Sequence, residues 1–271
     1  MNRTEQDRAL PFGWWGHRSS PEQRLSIVDL LQEGNLDARA AAFLWMAMEA
    51  RASVVVASTV EDAGKTTTLT ALLDFLPADV ETIYLRGWYE RFDFLDSRDP
   101  STTYLLCNEI SNNLPTYMWG NGVLRLFEST ERGFPFATTI HVNNAGEMID
   151  TLSSFPLEVP RHLLANIDFV ISLSGGSRSS KYLRRMMRIE VLNSGKEGVA
   201  AETISERDVL LSPLRSRTGR MIGVLTERFG IDRDFATGEL ARREQFLDQL
   251  QHADVKHEGS VRDALLDFAG R

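Results

Sequence analysis

The stretch VVVASTVEDAGKTTTLTALL, residues 54–73, carries residue types that bind phosphate. A valine-rich run leads into a small polar loop, and Gly64-Lys65-Thr66 opens a helical pattern. In a P-loop, backbone N–H groups and the helix N-terminus hold the anion, and a lysine reaches the β- and γ-phosphates. The hydroxyl after that lysine binds Mg²⁺, the role of Thr66, and Thr67 can add a hydroxyl toward the α-phosphate. The sequence therefore predicts a site for nucleotide phosphates.

The loop departs from the full G-x-x-x-x-G-K-[ST] template, because Thr59 stands at the first glycine position. Thr59 and Asp62 both stand where loose φ angles are easiest for glycine, although aspartate is among the better non-glycine residues at positive φ. At ~4 Å and an effective dielectric of ~20, its carboxylate and a phosphate charge would repel by about 4 kcal/mol, and by less if Asp62 faces water. A chance Gly-Lys-Thr at a helix start is the alternative. We predict that the site is lined by Thr59, Val60, Glu61, Asp62, Ala63, Gly64, Lys65, Thr66 and Thr67.

Short apolar runs alternate with helical patterns along most of the chain. This alternation predicts an α/β fold with an open, mainly parallel sheet. The predicted strands are SVVVA (53–57), TIYL (82–85), TYLLC (103–107), FATTI (136–140) and DFVISL (168–173). Helical periodicity is found from Arg24 to Gly34, after a cap at Asp37, from Gly64 to Pro77, and over 121–130 and 145–154. The basic run YLRRMMRIEVL (182–192) is predicted to form a sheet-edge hairpin with DFVISL.

Three regions are predicted: an N-terminal arm with linker helices (1–50), a P-loop core (51–195) and a C-terminal helical subdomain (196–271). The last region is expected to contain helices alone, at about 206–213, 219–229, 237–252 and 260–269, with Gly230 as a C-cap and a capping-box-like start at Ser260. Trp14 and Trp15 lie in an irregular segment, either as surface anchors or as a partner site.

Composition and charge limit the binding partners and the cellular compartments that fit the sequence. The net charge is −8, which gives no support to nucleic-acid binding, and no such partner is expected. A single cysteine, Cys107, cannot form an intramolecular disulfide and fits a reducing compartment. No apolar run approaches the ~20 residues needed to span a bilayer. We therefore expect a cytoplasmic protein. Histidine and cysteine are scattered without metal-ligand spacing, and no hydrolase elbow is found.

Read in order, four further stretches make the chain resemble the secretion ATPases of type II secretion, the type IV pilus, the archaellum and type IV secretion. SIVDLLQEGNLDARAAAFLWMAMEARASVVVAS resembles their linker and helix before the P-loop. LLCNEIS resembles the Walker B strand with its glutamate, here Glu109, and GFPFATTIHVNNAGEMIDTL resembles the histidine box, here with His141. LLANIDFVISLSGG with YLRRMMRIEVL resembles the closing strand pair. The resemblance covers about residues 24–270.

The resemblance implies a RecA-like P-loop NTPase core with ATP and Mg²⁺ as cofactors. Glu109 would orient or activate water, or reach Mg²⁺ together with Thr66, although a salt-bridged strand-end carboxylate is the alternative. His141 would contact or report the γ-phosphate, unless it is only a hydrogen-bonded histidine. Arg184 and Arg185 would approach nucleotide at subunit edges, unless they belong to a solvated basic strand. A ring is implied, expected to be hexameric, peripheral to the inner face of the cell membrane and coupled to a membrane platform protein.

Several family positions are altered. The acidic Glu-Asp pair after the second strand is Arg86-Gly87 here, and the nearest carboxylate that could substitute in catalysis is Glu90. The arginine expected two positions after Glu109 is Ser111, and the first histidine of the histidine box is Phe134. An N-terminal domain and a helix or hairpin before the Walker B strand are also expected to be missing. The resemblance thus implies a shortened member whose activity is weakened or lost.

Two functions from different classes follow. The first is an ATPase that uses Mg-dependent ATP hydrolysis to drive pilus assembly or protein export. The second is a hydrolysis-deficient scaffold subunit in a secretion ring that contains an active paralogue. Retention of Lys65, Thr66 and Glu109 favours the first, whereas the lost acidic pair and Ser111 favour the second. A P-loop kinase for a small substrate is weaker, because no acceptor-binding lid is found.

Overall fold

The computed structural model describes residues 25–178, 180–195, 198–253 and 258–270, so Trp14 and Trp15 lie outside the described residues. In the described part, eight strands form one mixed sheet in the order β2-β3-β4-β1-β5-β6-β7-β8. The strands are β1 Val54–Ala57, β2 Glu81–Tyr84, β3 Thr103–Ile110, β4 Phe136–Ile140, β5 Phe169–Arg178, β6 Lys181–Gly195, β7 Gly198–Glu206 and β8 Arg215–Ser216. Strands β1 to β5 pair in parallel, and β5 to β8 pair antiparallel.

The helices are α1 Ile27–Gln32, α2 Ala38–Glu49, α3 Lys65–Leu73, α4 Asn121–Glu131, α5 Ala145–Ser153, α6 Arg161–Leu164, α7 Thr218–Phe229, α8 Arg233–His252 and α9 Glu258–Ala269. Two predicted caps are confirmed. The Asp37 side chain accepts from the Ala40 N–H at 2.8 Å, and Gly230 ends α7 with a φ of 68°. The predicted capping-box-like start at Ser260 is wrong, because α9 is already helical at Glu258 and Ser260 lies inside the helix.

Strand β1 is apolar throughout because both faces of the sheet are covered. Val54 and Val56 belong to one buried cluster, which includes residues of α1, α2, α3 and the C-terminal helices. Val55 and Ala57 belong to the other, which includes residues of α4, α5 and α6. The sheet is therefore the middle layer of a three-layer structure, and the loop after β1 starts from this layer. The predicted fold class, an α/β RecA-like core with a mainly parallel sheet and a C-terminal helical region, is confirmed.

The C-terminal third differs from the prediction of helices alone. The helix predicted over 206–213 is wrong, since this segment holds the end of β7 followed by turns. Strand β7 pairs with β6, so the β5–β6 hairpin is not at the sheet edge. The GVAAETISE run of β7 carries no strand-like apolar pattern, because most of its side chains are partly or fully exposed. The division at residue 195 stays a prediction, and the sheet continues beyond it.

No helix in the described residues is long and apolar enough to cross a membrane.

Helices α2 and α8 are joined by a buried arginine. The Arg243 guanidinium donates to Glu239 at 2.7 Å and to Glu49 at 2.6 Å, and it lies 4.5 Å from the ring centroid of Trp45. Its side chain is only 5% exposed. Removing one partner of such a group leaves the remaining charges without compensation, which costs more than the pair contributes.

We predict that Arg243→Ala lowers the free energy of unfolding by about 2–3 kcal/mol, because Glu49 loses its ion-pair partner and Glu239 keeps only Arg242. Urea denaturation followed by circular dichroism measures this. The control is Arg98→Ala, which breaks a partly exposed pair with Glu81 and should cost less than about 1 kcal/mol. Equal losses in the two variants would contradict the assignment.

Candidate phosphate-binding site

The loop between β1 and α3 has left-handed backbone at two nearby positions. Asp62 has a φ of 55° and Gly64, the N-cap of α3, has a φ of 91°. Such alternation turns successive N–H groups toward one concave side, the geometry that binds anions. The expectation of a glycine-like φ is confirmed at Asp62 and wrong at Thr59, which is not among the positive-φ residues of the described structure. The Asp62 side chain is exposed, which reduces its repulsion of a bound phosphate.

The amides that follow are open to a ligand. Within the described part of the chain, no hydrogen bond uses the backbone N–H groups of residues 63–67. The first turn of a helix leaves its amides without intrahelical acceptors, and the helix dipole adds positive potential there. By contrast, the amides of Ser58 and Val60 are bonded, to the Ile140 carbonyl and to the Ser58 hydroxyl. The open amides are therefore confined to the end of the loop next to α3.

The side chains predicted to bind phosphate and metal, those of Lys65, Thr66 and Thr67, lie where the loop meets α3. The Lys65 ammonium donates to the Ser58 carbonyl at 3.4 Å, which folds the side chain back over the loop. Thr66 and Thr67 are half-buried on the first turn of α3. A long hydrogen bond to a neutral carbonyl is weak, so a phosphate that offers a full charge can displace it.

The parallel strands bring two further predicted residues to this edge. Strand β4 lies between β1 and β3, with Ile140 beside Ala57 and Thr139 beside Glu109. Glu109 is half-buried and accepts from the Thr139 hydroxyl at 3.3 Å, and no ion pair among the described residues includes it. His141 follows β4 directly, and its ring is exposed without a hydrogen bond to the described residues. The alternatives, a salt-bridged Glu109 and a hydrogen-bonded His141, are not what the described structure contains.

Asn143 joins this site without having been predicted. The Thr59 hydroxyl donates to Asn143 Oδ1 at 2.6 Å, and Glu147 Oε2 accepts from both the backbone and the side-chain nitrogen of Asn143. The first position of the loop is therefore tied to the segment that carries His141. The sequence hinted at this contact only through the position of Asn143 just after the predicted histidine box.

The two adjacent arginines of β6 have different partners. Arg184 Nε donates to the Asp62 carbonyl at 2.7 Å, whereas Arg185 donates to the Glu33 carbonyl at 2.9 Å, beside α1. Of these two arginines, Arg184 is the one that contacts the phosphate loop in the described structure. Tyr182, two positions earlier on the same strand, donates from its hydroxyl to the Glu61 carbonyl at 3.2 Å. Sequence reasoning missed Tyr182, because strand alternation says which residues share a face and not what they meet.

Glu90 is occupied by its own loop. One carboxylate oxygen accepts from the Arg86 amide at 2.9 Å, and the other accepts from the amides of Arg91 and Phe92 at 2.8 and 2.9 Å. This loop follows β2, which is separated from β1 by β3 and β4. The structure thus gives Glu90 a role in holding the loop, and its catalytic role stays a prediction.

Cys107 is fully buried in β3, and burial raises the pKa of its thiol to about 12. It therefore remains a protonated core side chain and adds no nucleophile to the site.

The five parallel strands, with β1 leading through the amide-rich loop into α3, have the RecA-like arrangement. No protein-family profile matches the chain. Two curated proteins of Methanocaldococcus jannaschii are similar in sequence. The uncharacterised protein MJ0900 is 24% identical over 183 residues, which are 61% of this chain and 33% of that protein. The uncharacterised protein MJ0781 is 28% identical over 134 residues, 48% of this chain and 19% of that protein. The chain thus spans a third or less of the length of both relatives.

Two solved structures are similar in fold. One is the VirB11 ATPase of the Brucella suis type IV secretion system, with 18% identity, a TM-score of 0.43, and coverage of 66% of this chain and 60% of that one. The other is the ATPase DotB of Legionella pneumophila, with 13% identity, a TM-score of 0.33, and coverage of 83% and 63%.

We predict that Glu90→Ala lowers the free energy of unfolding by about 1–2 kcal/mol, because three backbone amides lose a charged acceptor in a half-exposed loop. Thermal and urea denaturation measure this. Affinity for Mg·ATP should stay within about threefold of the wild type. If Glu90→Ala kept full stability but lost ATP turnover, the result would contradict the structural role and support a catalytic role of Glu90.

Proposed function

We propose that the protein binds Mg·ATP at the loop 58–67 and hydrolyses it slowly, as an ATPase of the secretion and pilus-assembly type. The observation that supports binding is the row of backbone amides at 63–67 without an acceptor among the described residues. Triphosphates carry the charge and the acceptor oxygens that such a row requires.

Each side chain of the site has a task in this proposal. Lys65 leaves the Ser58 carbonyl and pairs with the β- and γ-phosphates. The hydroxyl of Thr66 and the carboxylate of Glu109 are oxygen donors, which Mg²⁺ prefers, and Mg²⁺ usually takes only one or two protein ligands beside phosphate oxygens and water. These residues therefore fit the metal. Glu109 also orients the attacking water, and His141 contacts the γ-phosphate side of the nucleotide.

The setting of the activity is proposed from the resemblance of residues 24–270 to secretion ATPases. In that setting the chain assembles into a ring, as a hexamer of itself or together with an active paralogue. The ring is cytoplasmic, lies against the inner face of the cell membrane, and transmits its movement to a membrane platform protein during pilus assembly or protein export. The C-terminal helical segment acts in this proposal as a subdomain of each ring subunit.

A second function, a scaffold subunit that binds nucleotide without hydrolysis, is favoured by the loop after β2. Arg86 stands where the family has a carboxylate, and the nearest replacement, Glu90, is already bonded to three amides of its own loop. A cation at this position weakens Mg²⁺ binding. The two functions share the phosphate site and differ only in turnover.

We predict that the wild-type protein binds Mg·ATP in calorimetric titration and that Lys65→Ala weakens this binding at least about tenfold, because one charge-assisted contact to phosphate is lost. The matched control is Lys181→Ala, which removes an exposed ion pair with Glu33 and should bind like the wild type. If Lys65→Ala bound Mg·ATP as tightly as the wild type, the result would contradict the assignment of the phosphate site.

We predict slow phosphate release by the wild type and none by Glu109→Gln, because the amide can neither activate water nor hold Mg²⁺ as a carboxylate does. Steady-state phosphate release at saturating Mg·ATP measures this, so that weaker Mg²⁺ binding by the variant does not itself limit turnover. Glu131→Gln, on the exposed end of α4, is the matched control and should keep full turnover. A wild type indistinguishable from Glu109→Gln would establish the scaffold function.

A further inference from the structure

The carbonyl side of the phosphate loop is held by one strand. Two successive carbonyls, those of Glu61 and Asp62, accept from the Tyr182 hydroxyl and from Arg184 Nε. The two donors also contact each other, since the Arg184 guanidinium lies 5.0 Å from the centroid of the Tyr182 ring. The aliphatic part of Arg184 crosses Gly64 so closely that a Cβ there would meet its Cδ at 3.3 Å.

These contacts are placed at the strained part of the loop. Asp62 holds a left-handed φ of 55°, which glycine adopts readily and other residues adopt at a cost in free energy. A left-handed residue in a nest has its N–H and carbonyl turned to opposite sides, so a donor fixed on the carbonyl also fixes the amides that face the anion. Strain of this kind persists only where the surroundings over-determine it.

We propose that Arg184 is a positioning residue: its bond to the Asp62 carbonyl holds a non-glycine residue in the conformation that opens the phosphate nest. This inference rests on the proposed phosphate site and concerns how that site is kept in shape. It replaces the sequence expectation that Arg184 acts by touching the nucleotide. In this chain, a charged donor on β6 stabilises the conformation that a glycine at position 62 would adopt without help.

The proposal and direct contact with phosphate differ in one measurable way. If Arg184 serves the strained conformation of residue 62, its importance must fall when that residue becomes glycine. If Arg184 touches phosphate, its removal weakens binding by the same factor whichever residue stands at position 62.

The experiment is a double-mutant cycle of Arg184→Met with Asp62→Gly, measured with Mg·ATP and with inorganic tripolyphosphate as probes. We expect Arg184→Met to weaken binding of both probes about tenfold or more in the wild-type background, the factor that loss of one hydrogen bond from a charged group brings. In the Asp62→Gly background the loss should be less than about threefold. Equal losses in both backgrounds, or no loss in either, would overturn the proposal.

Two control variants distinguish the effect of the backbone conformation at residue 62 from the effect of side-chain charge. Asp62→Asn removes the negative charge but keeps a side chain at positive φ, so the loss caused by Arg184→Met should persist in the Asp62→Asn background. Arg188→Met removes an exposed arginine of the same strand, whose side chain has no hydrogen bond to the described residues, and should leave binding unchanged.

A second readout does not need nucleotide. Because the contact joins two parts of the protein itself, Arg184→Met should lower the melting temperature by about 2–4 °C in the wild-type background and by clearly less in the Asp62→Gly background. If the wild type binds neither probe, the proposed function fails. In that case the double-mutant cycle of melting temperatures still tests whether Arg184 holds the loop. Equal shifts of the melting temperature in both backgrounds would contradict this role of Arg184.

Discussion

The proposed phosphate site depends on a conflict between the sequence of one loop and the backbone conformation that this loop adopts. Residues 62 and 64 are both left-handed, but only Gly64 adopts that conformation without strain. The result is a set of amides at 63–67 without acceptors among the described residues, at the positive end of α3. Open amides at a helix start are a property of every helix, so the distinguishing feature is the nest that precedes them.

The sheet determines which groups can act on a ligand held there. Since β1, β3 and β4 are parallel, their carboxyl ends lie at one edge, and the loop, Glu109 and His141 come from those ends. Glu109 is separated from β1 by β4, and the bond from Thr139 holds its carboxylate beside β4. Asn143 links Thr59 to the segment after β4, so the first loop position and the His141 segment are joined by hydrogen bonds.

The balance between an enzyme and a scaffold depends on the loop after β2. Glu90 satisfies three amides there, and Arg86 brings a positive charge. A carboxylate whose two oxygens already accept three N–H bonds has few acceptor positions left for water or a metal ion. Under the proposed function, the loop keeps the groups that would bind phosphate, whereas Glu109 is the one described carboxylate with few competing bonds that would handle metal and water.

Local patterns in the sequence determined the elements around the site. The apolar runs predicted β1 to β5, and Asp37 and Gly230 marked helix ends, because burial on two faces and capping chemistry depend on neighbouring residues. Strand β7 escaped prediction, since a half-exposed strand pairs through its backbone and needs no apolar pattern. Only the tertiary structure decided that Arg184 reaches the loop while Arg185 reaches Glu33, and that Tyr182 and Asn143 join the site. Those contacts join residues more than eighty positions apart in the chain, and their geometry is set by strand pairing and packing that local residue types do not encode.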